Sequence, residues 1–250
     1  MKEWIYGRNP VFETLRANRR QVFRLLLAEG VEERGNLPEA LRLAAARKLR
    51  PERLPRGQMD RLLGENNQGI GVEVSAYPYA GLADILALAG QRGEAPFILA
   101  LDMIQNPQNL GTLMRTAEVV GAHGVILPLR WAAAVTPAVV SSSAGASEHL
   151  LAAQANLAQA LDELKEAGAW AVGLEGASPQ AQPPERCPLD GPLVLVVGNE
   201  GEGMRELVRK KCDVLMALPM RGKVDSLNAA VAGSIALYLA RTARDRKINK

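Results

Sequence analysis

Cysteine and histidine are scarce in this chain of 250 residues, two of each: Cys187 and Cys212, His123 and His149. The cysteines are far apart, form no CxxC pair and have no histidine at ligand spacing, which excludes a disulfide scaffold and a zinc site. Two isolated histidines do not make a metal cluster, so the expected chemistry is not metal-based. Long hydrophobic runs are missing as well. Although 48% of the residues are hydrophobic, no charge-free apolar stretch approaches the roughly 18 residues of a membrane span. The opening MKEWIYGRNPVFETLRANRR has no continuous apolar segment and carries Glu3 and Glu13, which argues against a secretory signal and makes the cytoplasm the expected compartment. No internal repeat is visible, and the one biased tract is the Pro/Gln/Ala-rich SPQAQPPERCPLDGP from Ser178.

A chain of this size can bury a substantial core in one or two domains. Net charge is only +3, yet residues 1–75 hold 14 Lys/Arg against 10 Asp/Glu, and residues 76–250 hold 16 against 17. Arg16, Arg19, Arg20 and Arg24 form one basic group, and Arg42, Arg47, Lys48, Arg50, Arg53 and Arg56 a second. Such a group is either a footprint for a phosphate backbone or a solvated charged surface, and charge alone does not separate the two.

Hydrophobic periodicity divides the chain. Residues 8–19 read as a helix with Asn9 as N-cap and Pro10 in its first turn, followed by a strand from Val22, a helix from Leu37 and a strand from Gly69. This predicts a small α/β domain over 1–75, then a connecting stretch over 76–94 with a short helix between Pro78, Gly81, Gly90 and Gly93. From 95 to 250, strands FILALD, GVILP, AWAVGL, LVLVV and DVLMALP alternate with helices near Pro107, Pro137, Asn156 and Met204 and a long final one from Ser226. That alternation predicts a mostly parallel sheet covered on both faces.

Three segments in this second part stand out, because each joins a strand or buried edge to a loop rich in Gly and Asn and then to a helix. They are DMIQNPQNLGTLMRTAEVVGA from Asp102, LVLVVGNEGEGM from Leu193 and ALPMRGKVDSLNAAVAGSIALY from Ala217. In an α/β sheet, ligands bind at such loops. Gly198, Gly201 and Gly203 are spaced like a dinucleotide fingerprint run backwards, but Glu200 and Glu202 between them would repel a pyrophosphate. A ligand with positive charge and no phosphate, such as S-adenosylmethionine, suits them better. Taken singly, each segment also has a plainer reading: a tight turn with acids at a helix start, a good helix start at Asn106-Pro107 with Arg115 as a surface cation, and a core helix capped by Asp225, Ser226 or Asn228. A nicotinamide-dependent oxidoreductase would need a glycine-rich loop after FILALD, where DMIQNPQNLG supplies a single glycine.

Together the segments resemble the three motifs of the SpoU group of SPOUT methyltransferases, which transfer a methyl group from S-adenosylmethionine to a ribose 2′-hydroxyl of RNA. NQGIGVEV from Asn67 and SSSAGASEHL from Ser141 are similar to the branch that methylates a guanosine in 23S ribosomal RNA. The resemblance implies a C-terminal SPOUT domain with a trefoil knot, an N-terminal RNA-binding α/β domain and a homodimer. It places the cofactor at Val197, Gly198, Gly201, Leu218, Met220, Ser226 and Leu227. It gives catalytic or orienting roles to Asn109, Arg115, Glu200, Ser226 and Asn228, and RNA contacts to Arg16, Arg19, Arg20, Arg24 and Arg115. A transfer-RNA methylase of the same fold, or a ribosome-binding relative without turnover, shares these motifs. The family scheme lets Arg115 take the 2′-hydroxyl proton, yet arginine stays protonated up to a pKa above about 12. Holding an RNA phosphate or stabilising alkoxide charge suits it better, with the proton passing to a phosphate, a water or Glu200.

Overall fold

The computed structural model describes residues 2–176, 178–223 and 226–248. Its first part runs β1 (Lys2–Tyr6), α1 (Arg8–Ala17), β2 (Val22–Ala28), α2 (Leu37–Ala46), β3 (Pro51–Leu54), α3 (Arg56–Leu63) and β4 (Ile70–Ser75). The chain continues through α4 (Leu82–Arg92), β5 (Phe97–Leu101), α5 (Pro107–Val119), β6 (Gly124–Pro128), α6 (Pro137–Ser142), β7 (Leu151–Ala155) and α7 (Leu157–Glu166). It ends with β8 (Trp170–Leu174), β9 (Leu193–Val197), α8 (Glu206–Lys211), β10 (Val214–Met216) and α9 (Ala229–Ile248).

These elements form two compact units, one of Met1–Pro78 with Val135–His149, the other of Tyr79–Ala134 with Leu150–Lys250. The linear division into 1–75, 76–94 and 95–250 misses two features. Residues 135–149 pack with the first unit, and α4 is no mere connector, since Ile85 and Ala89 on it are fully buried.

The first unit has a four-stranded sheet ordered β1-β4-β2-β3, in which β4 is antiparallel to both neighbours and β3 parallel to β2. The N-cap of its helix α1 is Gly7, whose φ of 92° suits glycine, and not Asn9, whose side chain instead accepts a hydrogen bond from Asn36 Nδ2 at 2.9 Å. The segment 135–149 is fastened to this unit by a buried ion pair. Arg20 donates through Nε and Nη2 to the two Glu148 oxygens at 2.9 and 2.8 Å, and through Nη1 to Glu3 at 2.7 Å.

The second unit is built on six parallel strands ordered β10-β8-β9-β5-β6-β7. β5 and β9 lie at its centre and are buried at every residue, which is why FILAL and LVLVV read as continuous apolar runs with no alternation. On one face, α4, α7 and α8 bury Ile85, Leu157, Leu161, Leu164 and Val208 against Ile98, Val194 and Val196; each such large side chain contributes about 1.5–3 kcal/mol. On the other, α5 packs against α9, with Thr116 Oγ1 and Ser234 Oγ 2.9 Å apart. Gly233 lets α9 approach closely, because a Cβ there would press on Leu113 and Val197. The tract from Ser178 is less irregular than its composition suggests, for Gln182 pairs with Met216 beside β10.

Strand order fixes where a ligand can sit. From β5 the chain leads to β6 on one side, while from the adjacent β9 it leads to β10 on the other. The two loops therefore diverge at the carboxyl ends of β5 and β9, the kind of switch point at which open α/β sheets bind ligands.

Candidate active site

On the β9 side of this divergence lies a cavity of about 670 Å³, walled by residues 174–176 at the end of β8, 197–204 at the end of β9, and by Ala217, Leu218, Met220, Ser226 and Leu227 after β10 with Ala229 and Ala232 in the first turn of α9. All seven residues expected to hold the cofactor, Val197, Gly198, Gly201, Leu218, Met220, Ser226 and Leu227, line it. The loop after β9 closes on itself: Asn199 and Gly203 exchange backbone hydrogen bonds at 3.0 Å each, and the Gly201 N–H donates to Asn199 Oδ1 at 3.1 Å. Gly198 is required by close approach, because a Cβ there would overlap the backbone of Gly203 and Met204. Gly203 is instead favoured by its φ of +69°, while a Cβ on Gly201 would meet open space, and the acids are loop residues with no helix start beneath them, since α8 begins only at Glu206.

Two further contacts hold that loop. Asp102, fully buried at the end of β5, accepts from Arg205 Nε on one oxygen at 2.8 Å, with Nη2 ion-paired to the same oxygen at 2.7 Å, and from the Arg205 backbone N–H on the other at 2.8 Å. Its own N–H donates to the Val197 carbonyl at 2.8 Å. Sequence reading passed over both residues, although Asp102 closing the strand FILALD was a signal: an acid directly after a fully apolar strand must find donors.

The three motifs meet at one carboxylate oxygen. Glu200 Oε1 accepts from Asn109 Nδ2 at 2.9 Å and from Asn228 Nδ2, and Asn228 Nδ2 also donates to Asn109 Oδ1 at 3.3 Å. Asn228 Oδ1 accepts from the N–H groups of Ala230 and Val231, capping α9. That cap fixes which end of the Asn228 amide faces Glu200, and Glu200 in turn fixes Asn109. The cap is therefore Asn228 and α9 begins at Ala229, three residues beyond the expected Ser226 start; Asp225 lies outside the described residues. Ser226 is exposed and lines the cavity.

Arg115 stands apart. It is exposed on α5, makes no hydrogen bond or ion pair among the described residues, and does not line the cavity. The structure brings it to neither Asn109 nor Glu200. The helix explains this, since six residues from Asn109 carry Arg115 to a different face.

Cavity charge decides between ligand classes. Arg209 is engaged by Glu175 at 2.8–3.0 Å, which leaves Glu200 and Glu202 as the uncompensated charges of the wall. An anionic phosphate is disfavoured there and a cation favoured. The volume falls in the usual range for small-molecule sites, so the residues present fit S-adenosylmethionine. Among the described residues no group of three or more His, Cys, Asp and Glu is placed to hold a metal ion, and no helix is long and apolar enough to cross a membrane.

The basic residues of the first unit are held in different ways. Arg20 is enclosed in its ion pairs, with no exposed side-chain surface. Arg19 donates to the carbonyls of Glu148 and Pro78 and to the Tyr77 hydroxyl. Arg24 forms a two-bond pair with Glu52 and lies over the Trp4 ring. Arg20 is thus withdrawn from the surface, Arg19 is half-buried, and Arg24 is exposed but ion-paired. Arg16 remains exposed beside Glu13, and Lys48, Arg50 and Arg53 are exposed around β3.

Comparison with known proteins agrees with this geometry. Residues 96–238 match the model of the SpoU rRNA methylase family, and residues 4–80 that of the RNA 2′-O-ribose methyltransferase substrate-binding domain. The chain is 41% identical over 239 residues to YacO of Bacillus subtilis strain 168, named as a TrmH-family tRNA/rRNA methyltransferase, with 94% of each chain covered. It is 39% identical to an uncharacterised tRNA/rRNA methyltransferase of Mycobacterium sp. strain KMS, covering 98% of this chain and 77% of the other. Its fold matches the SpoU methyltransferase AviRb of Streptomyces viridochromogenes, crystallised with S-adenosylmethionine, at a TM-score of 0.79 and 25% identity over 100% of this chain and 92% of that one. The chain belongs to the SpoU rRNA methylase family: it is an RNA 2′-O-ribose methyltransferase that uses S-adenosylmethionine.

Proposed function

We propose that this enzyme methylates a guanosine ribose of 23S ribosomal RNA and works as a homodimer in the cytoplasm. The observation that carries the catalytic reading is the convergence of Asn109, Glu200 and Asn228, from three separated motifs, at the rim of an acid-walled cavity. The ribosomal target is supported by the segments from Asn67 and Ser141 that resemble the 23S branch. Transfer RNA is the second reading, favoured by relatives whose names include both RNAs.

Val197, Gly198, Gly201, Leu218, Met220, Ser226 and Leu227 would hold the cofactor. When bound, it supplies an electrophilic methyl group on a sulfonium. The protein's task is then to place the 2′-oxygen in line and exclude competing geometries. Asn109 and Asn228, locked by Glu200, orient the ribose. Glu200 acts as their brace, with Oε1 taken by two amide donors.

Arg115 must reach the ribose from elsewhere, and a second subunit supplies the route. Val119 is exposed on α5, and Val231, Ile235 and Tyr238 form an exposed apolar face along the α9 packed against it. A two-fold contact over these helices would cover that face and carry each Arg115 toward the other subunit. The trefoil threading implied by the motifs belongs to the same proposal; its support is that the loop 197–204 and Leu218, Met220, Ser226 and Leu227 wall one cavity.

Ribose-methylation mapping of 23S ribosomal and transfer RNA from a strain lacking the protein tests the target. Loss of one guanosine methylation in 23S RNA is the expected result, and loss confined to transfer RNA refutes it. In vitro, Arg115→Lys retains charge but not the planar fork and should lower turnover by about 100-fold, with S-adenosylhomocysteine affinity unchanged.

A further inference from the structure

Trp131 is 71% exposed and sits on the loop that follows β6, directly after exposed Leu129 and Arg130. Its φ is +64°, a left-handed conformation that bulky side chains rarely adopt and that clusters at functional sites. The loop is anchored, because the Ala133 N–H donates to the Ile104 carbonyl at 2.9 Å. It is thereby tied to the loop that leads from β5 to Asn106 and Asn109. β6 lies two strands from β9, about 10 Å at the usual spacing, and both loops leave the same carboxyl edge of the sheet. Between Glu118 and Glu148 the sequence has no acidic residue, and Arg130 is its one Lys or Arg.

We propose that Trp131 is a stacking platform for an unpaired nucleobase of the RNA next to the target ribose, with Arg130 engaging the adjoining phosphate. The proposal rests on the RNA-methyltransferase reading and deepens it by naming the residues that grip the flanking nucleotide. One indole and one leucine are far too small a surface for a protein interface of about 800 Å² per partner, whereas one ring face is what one base covers. The cation without a neighbouring acid matches a polyanion. Stacking tolerates any base, so this contact would secure the strand while other contacts choose the nucleotide.

The test uses the full chain with Trp4→Phe and Trp170→Phe, which leaves Trp131 as the sole tryptophan, and two probes: a 12-nucleotide oligoadenylate and an abasic oligomer of equal length. Oligoadenylate should quench Trp131 emission and the abasic oligomer should not. In the otherwise native chain, Trp131→Ala should weaken oligoadenylate binding by about tenfold, Trp131→Phe should restore most of it, and Arg130→Ala should flatten its salt dependence. Binding by Trp131→Ala within about twofold of the native chain overturns the proposal. So does a change of sedimentation coefficient in Trp131→Ala, which would mean that a second copy covers the ring. The methyltransferase reading is checked separately by thermal stabilisation with S-adenosylhomocysteine. Quenching by oligoadenylate without that stabilisation would uphold the platform and sink the cofactor assignment.

Discussion

Asp102→Asn is the sharpest test of how the cavity is held. The substitution is isosteric, so no void is made, and its whole effect comes from exchanging one acceptor oxygen for an NH₂ donor. Asp102 is fully buried and accepts two hydrogen bonds from Arg205, one from the backbone N–H and one from Nε, with Nη2 completing the ion pair at 2.7 Å. Whichever way the new amide turns, a donor faces a donor. If it faces the backbone N–H, a buried group loses its partner at a cost of about 1–3 kcal/mol. If it faces the guanidinium, the charged bonds are lost; removing one member of a fully buried pair costs about 3–5 kcal/mol. The Arg205 side chain is 43% exposed, so water can rehydrate its charge, which places the loss nearer 2–3 kcal/mol. For a domain of this size that lowers Tm by about 5–10 °C. The loss should also be local, because Arg205 directly follows the 197–204 wall of the cavity. Amide exchange at 199–204 should accelerate, and calorimetry should show S-adenosylhomocysteine affinity falling by about tenfold. A Tm within about 1 °C of the native value together with unchanged affinity would refute the view that this pair fastens the cofactor loop.

Three further outcomes follow from single contacts. Gly198→Ala drives a methyl group into the Gly203–Met204 backbone, costing about 1–3 kcal/mol of overpacking, and should abolish thermal stabilisation by S-adenosylhomocysteine while far-ultraviolet circular dichroism stays native. Burial holds the His123 imidazole below its usual 6.5, with Glu94 pulling more weakly the other way; below about pH 6.5 the unfolded chain therefore takes up a proton that the folded one refuses, and stability falls as pH falls. His123→Asn, which retains an acceptor for the Phe97 N–H, should flatten urea-derived stability between about pH 5 and 7, and an unchanged slope would exclude His123 as its source. Burial pushes the Cys212 thiol up to about 12 and raises Cys187 as well. A thiol-reactive probe at about pH 8 should modify Cys187 first and reach Cys212 only as urea opens the fold; equal rates in the native protein would contradict the structure.

The sequence revealed the second unit because burial on both faces of a parallel sheet leaves a plain mark. FILAL, GVILP and LVLVV have no polar residue to lose among loops, and Asn106 and Asn156 cap α5 and α7 through their side chains. The first unit was harder. In β1 only Ile5 is buried, and Pro51, Glu52 and Arg53 in β3 are exposed, so neither strand shows alternation. The same weakness hid the membership of residues 135–149. What binds them to the first unit is Glu148 on Arg20 and His149 on Glu13 at 2.7 Å, contacts across more than a hundred positions that no local pattern records.

Charge was legible as an amount and illegible as a role. Arg16, Arg19, Arg20 and Arg24 are near neighbours in sequence, yet one is buried, one is engaged by backbone carbonyls, one is paired on a strand and one is solvated. A basic cluster marks RNA only where its members remain free of internal acids, and that depends on which carboxylates the fold brings up. The active site shows the converse. Glu200 and Glu202 were read as hostile to phosphate because the loop's glycines leave few side chains that could neutralise them; both line the cavity, where Arg209 is taken by Glu175. Sequence could therefore name the ligand's charge at this loop. The position of Arg115 follows from helix phase and, on the present proposal, from a second subunit, and neither is written in the spacing of the motif that contains it.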